Sequence, residues 1–343
     1  MAVSLLLNAY LETSADTIII DVRSPGEFQQ GHIPNSINIP LLNNEERAIV
    51  GTVYKKSGNK EAVLKGFELV GQKFSAYIQE TQKLAVNNKI SVYCWRGGMR
   101  SNIMAWLFTT AGMQVSLLKG GYKTYRTWVL QSFEQERKYL VLGGKTGSGK
   151  TEMLQHLQQK GEQVIDLEML ASHRGSAFGA IGQEPQPSNE QFENELAWQL
   201  KAFNNSKTIW LENESRLIGK IKIPDLIYHR MRKVKVVEML VPLEMRAKRI
   251  KNEYGKFPKE VLAEATQRIE KKLGNLRMKQ ALEHLQNDAL QAWTMMMLEY
   301  YDNAYAYGMS VREQDSIIQV EINSENYMDE AQAIMDCARL IKL

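Results

Sequence analysis

Short β-rich apolar runs alternate with longer stretches of helical period along most of the chain, and this alternation predicts two parallel-sheet α/β units in succession. In the first, β-rich runs at residues 17–22, 89–94 and 115–118 are separated by helical patterns at 63–86 and 101–111. Residues 122–139 are polar and aromatic, contain neither proline nor glycine, and read as a helical connector. A second series follows: strand 139–143, helix 150–159, strand 163–166, helix 189–204, and strands at 208–211 and 234–240. Beyond Pro258 the pattern turns helical through 261–273 and 277–301, before an apolar run at 317–322 and a closing helix. The boundary is expected near Glu136, giving a small α/β domain at 1–135 with its connector helix and an α/β domain with a helical C-terminal region at 136–343.

A length of 343 residues agrees with two domains. Apolar residues make up 44% and charged residues 24%, ordinary for a globular chain. No apolar run approaches the roughly 18 residues that span a bilayer, and the first ten residues lack a basic segment with a cleavage site, so neither membrane insertion nor export is expected. Cys94 and Cys337 are the only cysteines and lie far apart, which leaves no disulfide framework or cysteine metal site and points to the reducing cytoplasm. The net charge of +4 is uneven: residues 229–259 hold ten Lys/Arg against three Asp/Glu. That run reads equally as a solvated helical face or as a contact for a phosphate backbone, and residues 122–137, with Lys123, Arg126 and Arg137, offer a second such contact.

The candidate chemistry sits at two strand ends. Residues 90–93 read as a buried strand that delivers Cys94 into Trp95-Arg96-Gly97-Gly98-Met99-Arg100, with Ser101 opening a helix. Gly97 and Gly98 let the backbone curl so that successive N–H groups face inward, and Arg96 and Arg100 add full positive charge, an environment that favours a thiolate and an anion beside it. A free cysteine is commonly just a small buried hydrophobe, the reading that suits Cys337. The second strand, 139–143, leads into Gly144-Lys145-Thr146-Gly147-Ser148-Gly149-Lys150-Thr151, a complete G-x-x-x-x-G-K-T opening a helix. Here Gly144, Gly147 and Gly149 allow backbone N–H groups to converge on phosphate oxygens, Lys150 supplies charge, and Thr151 can reach a Mg2+ ion. His173 and Arg174, beside Gly175, are candidate substrate contacts or a surface turn. Glu212 and Glu214, and likewise Asp166 and Glu168, end neighbouring strands as metal-positioning or solvated carboxylates. Arg246, Lys248 and Arg249 read as a solvated helix face or as arginines standing where a lid would place them, and the Met- and Tyr-rich stretch 293–307 reads as core or as a pocket for an apolar tail.

The segments Asp21-Val22-Arg23-Ser24-Pro25-Gly26-Glu27-Phe28, Gly31-His32-Ile33-Pro34-Asn35-Ser36-Ile37-Asn38-Ile39-Pro40 and Leu118-Lys119-Gly120-Gly121-Tyr122 resemble the opening and close of rhodanese domains. The resemblance covers about the first 125 residues and implies a cysteine that carries sulfur or selenium. Common sulfurtransferase rhodaneses place the loop arginine five residues after the cysteine, whereas Arg100 follows Cys94 by six. This is also the spacing of Cys-dependent phosphatases, and it suits a larger tetrahedral anion.

The fusion of the two loops, with Ala171-Ser172-His173-Arg174-Gly175-Ser176, Trp210-Leu211-Glu212-Asn213-Glu214-Ser215 and Tyr300-Tyr301-Asp302, resembles the tRNA 2-selenouridine synthase family nearly end to end. That resemblance implies a transferase that replaces the sulfur of wobble 2-thiouridine in tRNA by selenium, through an S-geranyl intermediate. The substrates would be geranyl pyrophosphate and selenophosphate, with no tightly bound cofactor. It places catalysis on Cys94, selenophosphate on Arg96, Gly97, Gly98 and Arg100, and pyrophosphate on Gly144, Gly147, Gly149, Lys150 and Thr151. Two rival readings stay open: a Cys-dependent phosphatase fused to an ATP-binding kinase-like domain, discriminated by release of phosphate from an aryl phosphate, and a nucleotide-gated adaptor, indifferent to alkylation of Cys94.

Overall fold

The computed structural model describes residues 2–324 and 326–341. The chain divides into one unit of Met1–Ser132 with Ser188–Trp198 and another of Phe133–Pro187 with Gln199–Leu343. The segment Ser188–Trp198, although embedded in the sequence of the second unit, therefore packs with the first.

The first unit is built on strands β1 (Val3–Leu5), β2 (Ile18–Asp21), β3 (Ser36–Asn38), β4 (Lys89–Tyr93) and β5 (Gln114–Leu118), all paired in parallel in the order β1-β5-β4-β2-β3. Parallel strands must be covered on both faces, which is why β4 is buried without a break from Ile90 to Tyr93. Its core joins Ile20, Val22, Val92, Met104 and Phe108, all fully buried. The stretch expected as one helix at 63–86 is two helices, Asn59–Val70 and Phe74–Leu84, joined by a 3-10 turn at Gly71–Lys73. A helix at Asn44–Ser57 precedes them, closed at its start by a reciprocal box between Asn43 and Glu46. The connector helix is shorter than its pattern, Gly121–Ser132.

The second unit is assembled on β6 (Tyr139–Gly144), β7 (Gln163–Ile165), β8 (Ile209–Glu212), β11 (Val236–Leu240) and β12 (Ile317–Glu321), again wholly parallel, in the order β12-β11-β6-β8-β7. A small antiparallel pair, β9 (Leu217–Ile218) with β10 (Ile221–Lys222), lies apart from it. In each unit the strand that leads into a candidate loop, β4 or β6, is central, so the loop leaves the carboxyl end of a parallel sheet where such folds bind ligands. The helical region carries its own core of Phe178, Tyr254, Leu262, Trp293 and Met297. Its long pattern breaks into Asn275–Gln286 and Leu290–Ser310, with Asp288 in the left-handed region (φ 57°) at the break.

Candidate functional site

In the first unit, β4 ends at Tyr93 and the next residue, Cys94, is only 3% exposed. Its Sγ lies 3.2 Å from Ser101 Oγ, which in turn donates to the Gly98 carbonyl at 3.1 Å. Two of the loop's carbonyls are taken by the connector helix: Tyr122 N–H donates to Cys94 O and Lys123 N–H to Trp95 O, at 2.8 and 2.9 Å. The N–H groups of Trp95, Arg96, Gly97 and Gly98 meet no acceptor among the described residues, the condition for a concave anion seat. Gly97 (φ 63°) and Gly121 (φ 62°) make the close approach possible. A Cβ on Gly121 would stand 2.3 Å from Cys94 O and 2.5 Å from Gly97 N.

The two loop arginines part company. Arg96 is exposed. Arg100 turns to Glu27, with contacts of 2.7 and 3.3 Å, and Glu27 also takes Arg47 at 2.9 Å and the Ser24 N–H at 3.1 Å. Burial raises the affinity of that carboxyl for its proton, but Arg100 above all, then Ser24 and Arg47, more than offset it and hold it down to about 2. Arg100 is thus held by a carboxylate rather than laid over the thiol. Beneath the loop, fully buried Asp21 grips Arg23 through Nε and Nη2 at 2.9 and 2.6 Å, and the guanidinium stacks 3.8 Å from the centre of the Tyr122 ring. The Tyr122 hydroxyl donates to Glu190 at 2.7 Å and accepts from Asn194 at 2.8 Å. Arg126, expected as a backbone contact, is instead bound to Glu193 at 2.5 Å and Asn194 at 2.7 Å.

In the second unit, fully buried β6 runs into the glycine loop. Lys150 Nζ donates to Gly144 O at 3.3 Å, and the Thr151 hydroxyl stands 3.5 Å from Glu212 Oε1. Glu212 is fully buried, and its other oxygen accepts the Glu168 N–H at 3.1 Å. Side chains behind the loop hold its carbonyls. Arg249 donates to Gly147 O at 3.1 Å and to the Tyr327 hydroxyl at 2.7 Å, which donates to Ser148 O at 2.6 Å. Arg246 donates to Thr146 O at 3.2 Å and forks onto Asp302 with two contacts of 2.8 Å. Arg246 and Arg249, which read from the sequence as a solvated helix face or as lid arginines, are struts of the loop itself.

The loop opens on a cavity of about 540 Å3 lined by Lys150, Thr151, Arg174, Tyr254, Tyr301 and Tyr305 among others. Arg174 reaches it while paired with Glu253 at 2.6 Å. His173 does not line it: the ring is buried, crowded against Gly179 and Gly219. The carboxylates Glu168 and Glu214 do line it. Burial, then the neighbouring Glu214 charge, pushes Glu168 up to about 8 against the pull of Lys150, and burial likewise raises Glu214 and Glu212. Among the described residues no group of three or more His, Cys, Asp or Glu is arranged to hold a metal ion. The Thr151–Glu212 pair nonetheless has the oxygen donors a Mg2+ ion takes beside a phosphate. Of the stretch 293–307, Trp293 and Met297 pack in the core and Tyr301 and Tyr305 stand on the cavity wall.

The basic run 229–259 is divided: its arginines are tied into the fold, while Lys233, Lys248, Lys251, Lys256 and Lys259 are exposed. Arg230 donates to the carbonyls of Phe133, Glu134 and Gln135, and Arg232 to that of Gly308, in addition to the roles of Arg246 and Arg249. No described helix is long and apolar enough to cross a membrane.

Sheet order, cysteine loop and glycine loop together define a rhodanese-like domain joined to a P-loop domain with a helical C-terminal region. Residues 6–128 match the rhodanese-like domain family, and residues 137–334 match the family described as the tRNA 2-selenouridine synthase AAA domain. A tRNA 2-selenouridine synthase of Nitrosomonas europaea is 40% identical over 248 residues, covering 70% of this chain and 64% of that protein. One of Sulfurovum sp. is 37% identical over 327 residues, covering 85% and 88%, and one of Shewanella frigidimarina 35% over 340 residues, covering 88% and 90%. The chain belongs to the tRNA 2-selenouridine synthase family.

Proposed function

We propose that this chain is a transferase acting on tRNA, which converts wobble 2-thiouridine to 2-selenouridine through an S-geranyl intermediate. In the first step the thiouridine sulfur attacks C1 of geranyl pyrophosphate, the C–O bond breaks, pyrophosphate leaves and the ring N3 proton is released. In the second, the selenium of selenophosphate adds at C2 of the base, the C–S bond breaks, geranylthiol leaves with a proton, and water cleaves the P–Se bond to release phosphate. Alkylation is what makes the exchange feasible, since a bare thiocarbonyl sulfur is a poor leaving group.

The observation that carries the reading is the composition of the P-loop cavity. Convergent amides and Lys150 meet a wall of Tyr254, Tyr301 and Tyr305, which suits a pyrophosphate bearing an apolar chain. The amides and Lys150 neutralise charge developing on the departing pyrophosphate. Thr151 and Glu212 would hold a Mg2+ ion, which when bound adds positive charge at the same oxygens. In the first unit the free N–H groups of Trp95 to Gly98 seat the selenophosphate, Arg96 adds charge, and Cys94 beneath them supplies the catalytic thiol. Arg100 joins the site only on leaving Glu27.

Thiolated tRNA incubated with geranyl pyrophosphate and selenophosphate, separately and together, tests the reading by mass spectrometry of its nucleosides. Lys150→Ala is expected to abolish geranyl transfer, and Cys94→Ser to stop at the geranylated nucleoside. Geranyl transfer at the wild-type rate by Lys150→Ala, or a normal selenouridine yield from Cys94→Ser, refutes the assignment of that site. Cations of the basic segments serve tRNA binding, which should weaken steeply with salt.

A further inference from the structure

The first unit carries an open groove of about 540 Å3 between the helices Asn44–Ser57 and Asn59–Val70. Its floor is apolar, with Leu41, Ala62 and Val70 at 4%, 5% and 2% exposure. Its rim leaves large apolar side chains in solvent: Tyr54, Phe67 and Met99 are 59%, 45% and 49% exposed. Such a concentration of uncovered apolar surface marks a binding site more often than a bare surface, and the volume lies within the range of small-ligand sites.

Two further observations identify the occupant. Gly51 and Gly66 each sit inside a helix, where glycine is unfavourable, and both line the groove; a Cβ at either would meet nothing within 4 Å. The bare backbone at these positions widens the groove. The cations Arg47, Lys55 and Arg100 also line it, and Met99 and Arg100 open the helix that follows the Cys94 loop. An apolar trough bordered by positive charge, running to the end of that loop, fits an apolar chain carried on a polyanion.

We infer that this groove receives the geranyl chain of S-geranyl-2-thiouridine in tRNA while selenium is exchanged at the Cys94 loop, and holds geranylthiol as it leaves. The inference rests on the reaction proposed above. It makes the groove a specificity site for the second step, distinct from the tyrosine wall that would hold the same chain during the first. Lys55 faces the phosphates flanking the modified base, and Arg47 and Arg100 join it on leaving Glu27.

The test uses the full chain and Gly51→Leu and Gly66→Leu, which place an apolar side chain in the groove without clash and improve helix propensity; unfolding midpoints at or above wild type verify the fold. Single-turnover selenation of tRNA carrying S-geranyl-2-thiouridine is expected to fall at least tenfold in both variants, with geranylation of thiolated tRNA kept within twofold. Selenation at the wild-type rate in both variants overturns the inference, as does an equal loss in both steps. Calorimetric binding of the isolated nucleosides separates this failure from failure of the reaction itself. Wild type should prefer S-geranyl- over S-methyl-2-thiouridine at least tenfold, and the variants should lose the preference, even if turnover is never observed. No preference in the wild type overturns the inference.

Discussion

Replacing Glu27 by glutamine removes the charge that gathers Arg100, Arg47 and the Ser24 N–H at one half-enclosed carboxylate, itself 15% exposed. The fold lowers this carboxyl from 4.5 to about 2. At about 1.4 kcal/mol per pH unit, that depression corresponds to about 3 kcal/mol of stability at neutral pH, as an upper figure. A carboxyl depressed in the folded state stabilises fully above its unfolded value, and the contribution disappears as pH falls from there through the folded value. The gap between wild type and Glu27→Gln should therefore be about 3 kcal/mol at pH 7 and about 2 kcal/mol at pH 3.5. Urea unfolding at both pH values, with hydrogen exchange of the β2 and β4 amides to resolve the first unit, measures it. A gap that is the same at both pH values, or one below about 0.5 kcal/mol at pH 7, which is the scale of an exposed ion pair, would refute the reasoning.

The P-loop unit gives three more expectations. Because Glu168 stays protonated up to about 8, pyrophosphate affinity should fall as pH rises from 7 to 9 and the cavity gains negative charge; titration calorimetry should show Glu168→Gln binding more tightly than wild type at pH 9 and nearly equally at pH 7. Asp302→Asn strands the Arg246 guanidinium, only 4% exposed, and should cost about 3 kcal/mol, the scale of a broken buried pair, in the unfolding of that unit. Gly149→Ala would put a methyl group 2.7 Å from the Tyr327 ring at φ 74°. It should destabilise by about 1–3 kcal/mol and weaken pyrophosphate binding at least tenfold, and unchanged affinity would show that the loop accommodates the group.

Both loops were legible in the sequence because each is a contiguous run whose glycines, cations and flanking apolar strand serve one purpose; Cys94 and Lys150 needed no tertiary information. What escaped depends on distant partners. Nothing local distinguishes Arg100, which pairs with Glu27, from an arginine facing the loop. The charge count over 229–259 could not tell solvated cations from Arg230 and Arg246, which bind carbonyls and a carboxylate far along the chain. Helix breaks at Gly71 and Asp288 fall inside patterns whose apolar period continues across them, so periodicity alone ran the helices together. His173 reads as a polar loop residue, but the approach of Gly179 and Gly219 places it inside.

The assignment of Ser188–Trp198 to the first unit bears on the order in which the protein matures. A ribosome finishes residues 1–132 well before it reaches Asn194, so the sheet can form early while Tyr122, Arg126 and the His32 carbonyl wait for ligands. Gene truncation after the connector would leave a fragment with its sheet but with the tyrosine beneath the cysteine loop unanchored. A nascent chain therefore completes the packing around its thiol only after much of the phosphate cradle has been synthesised.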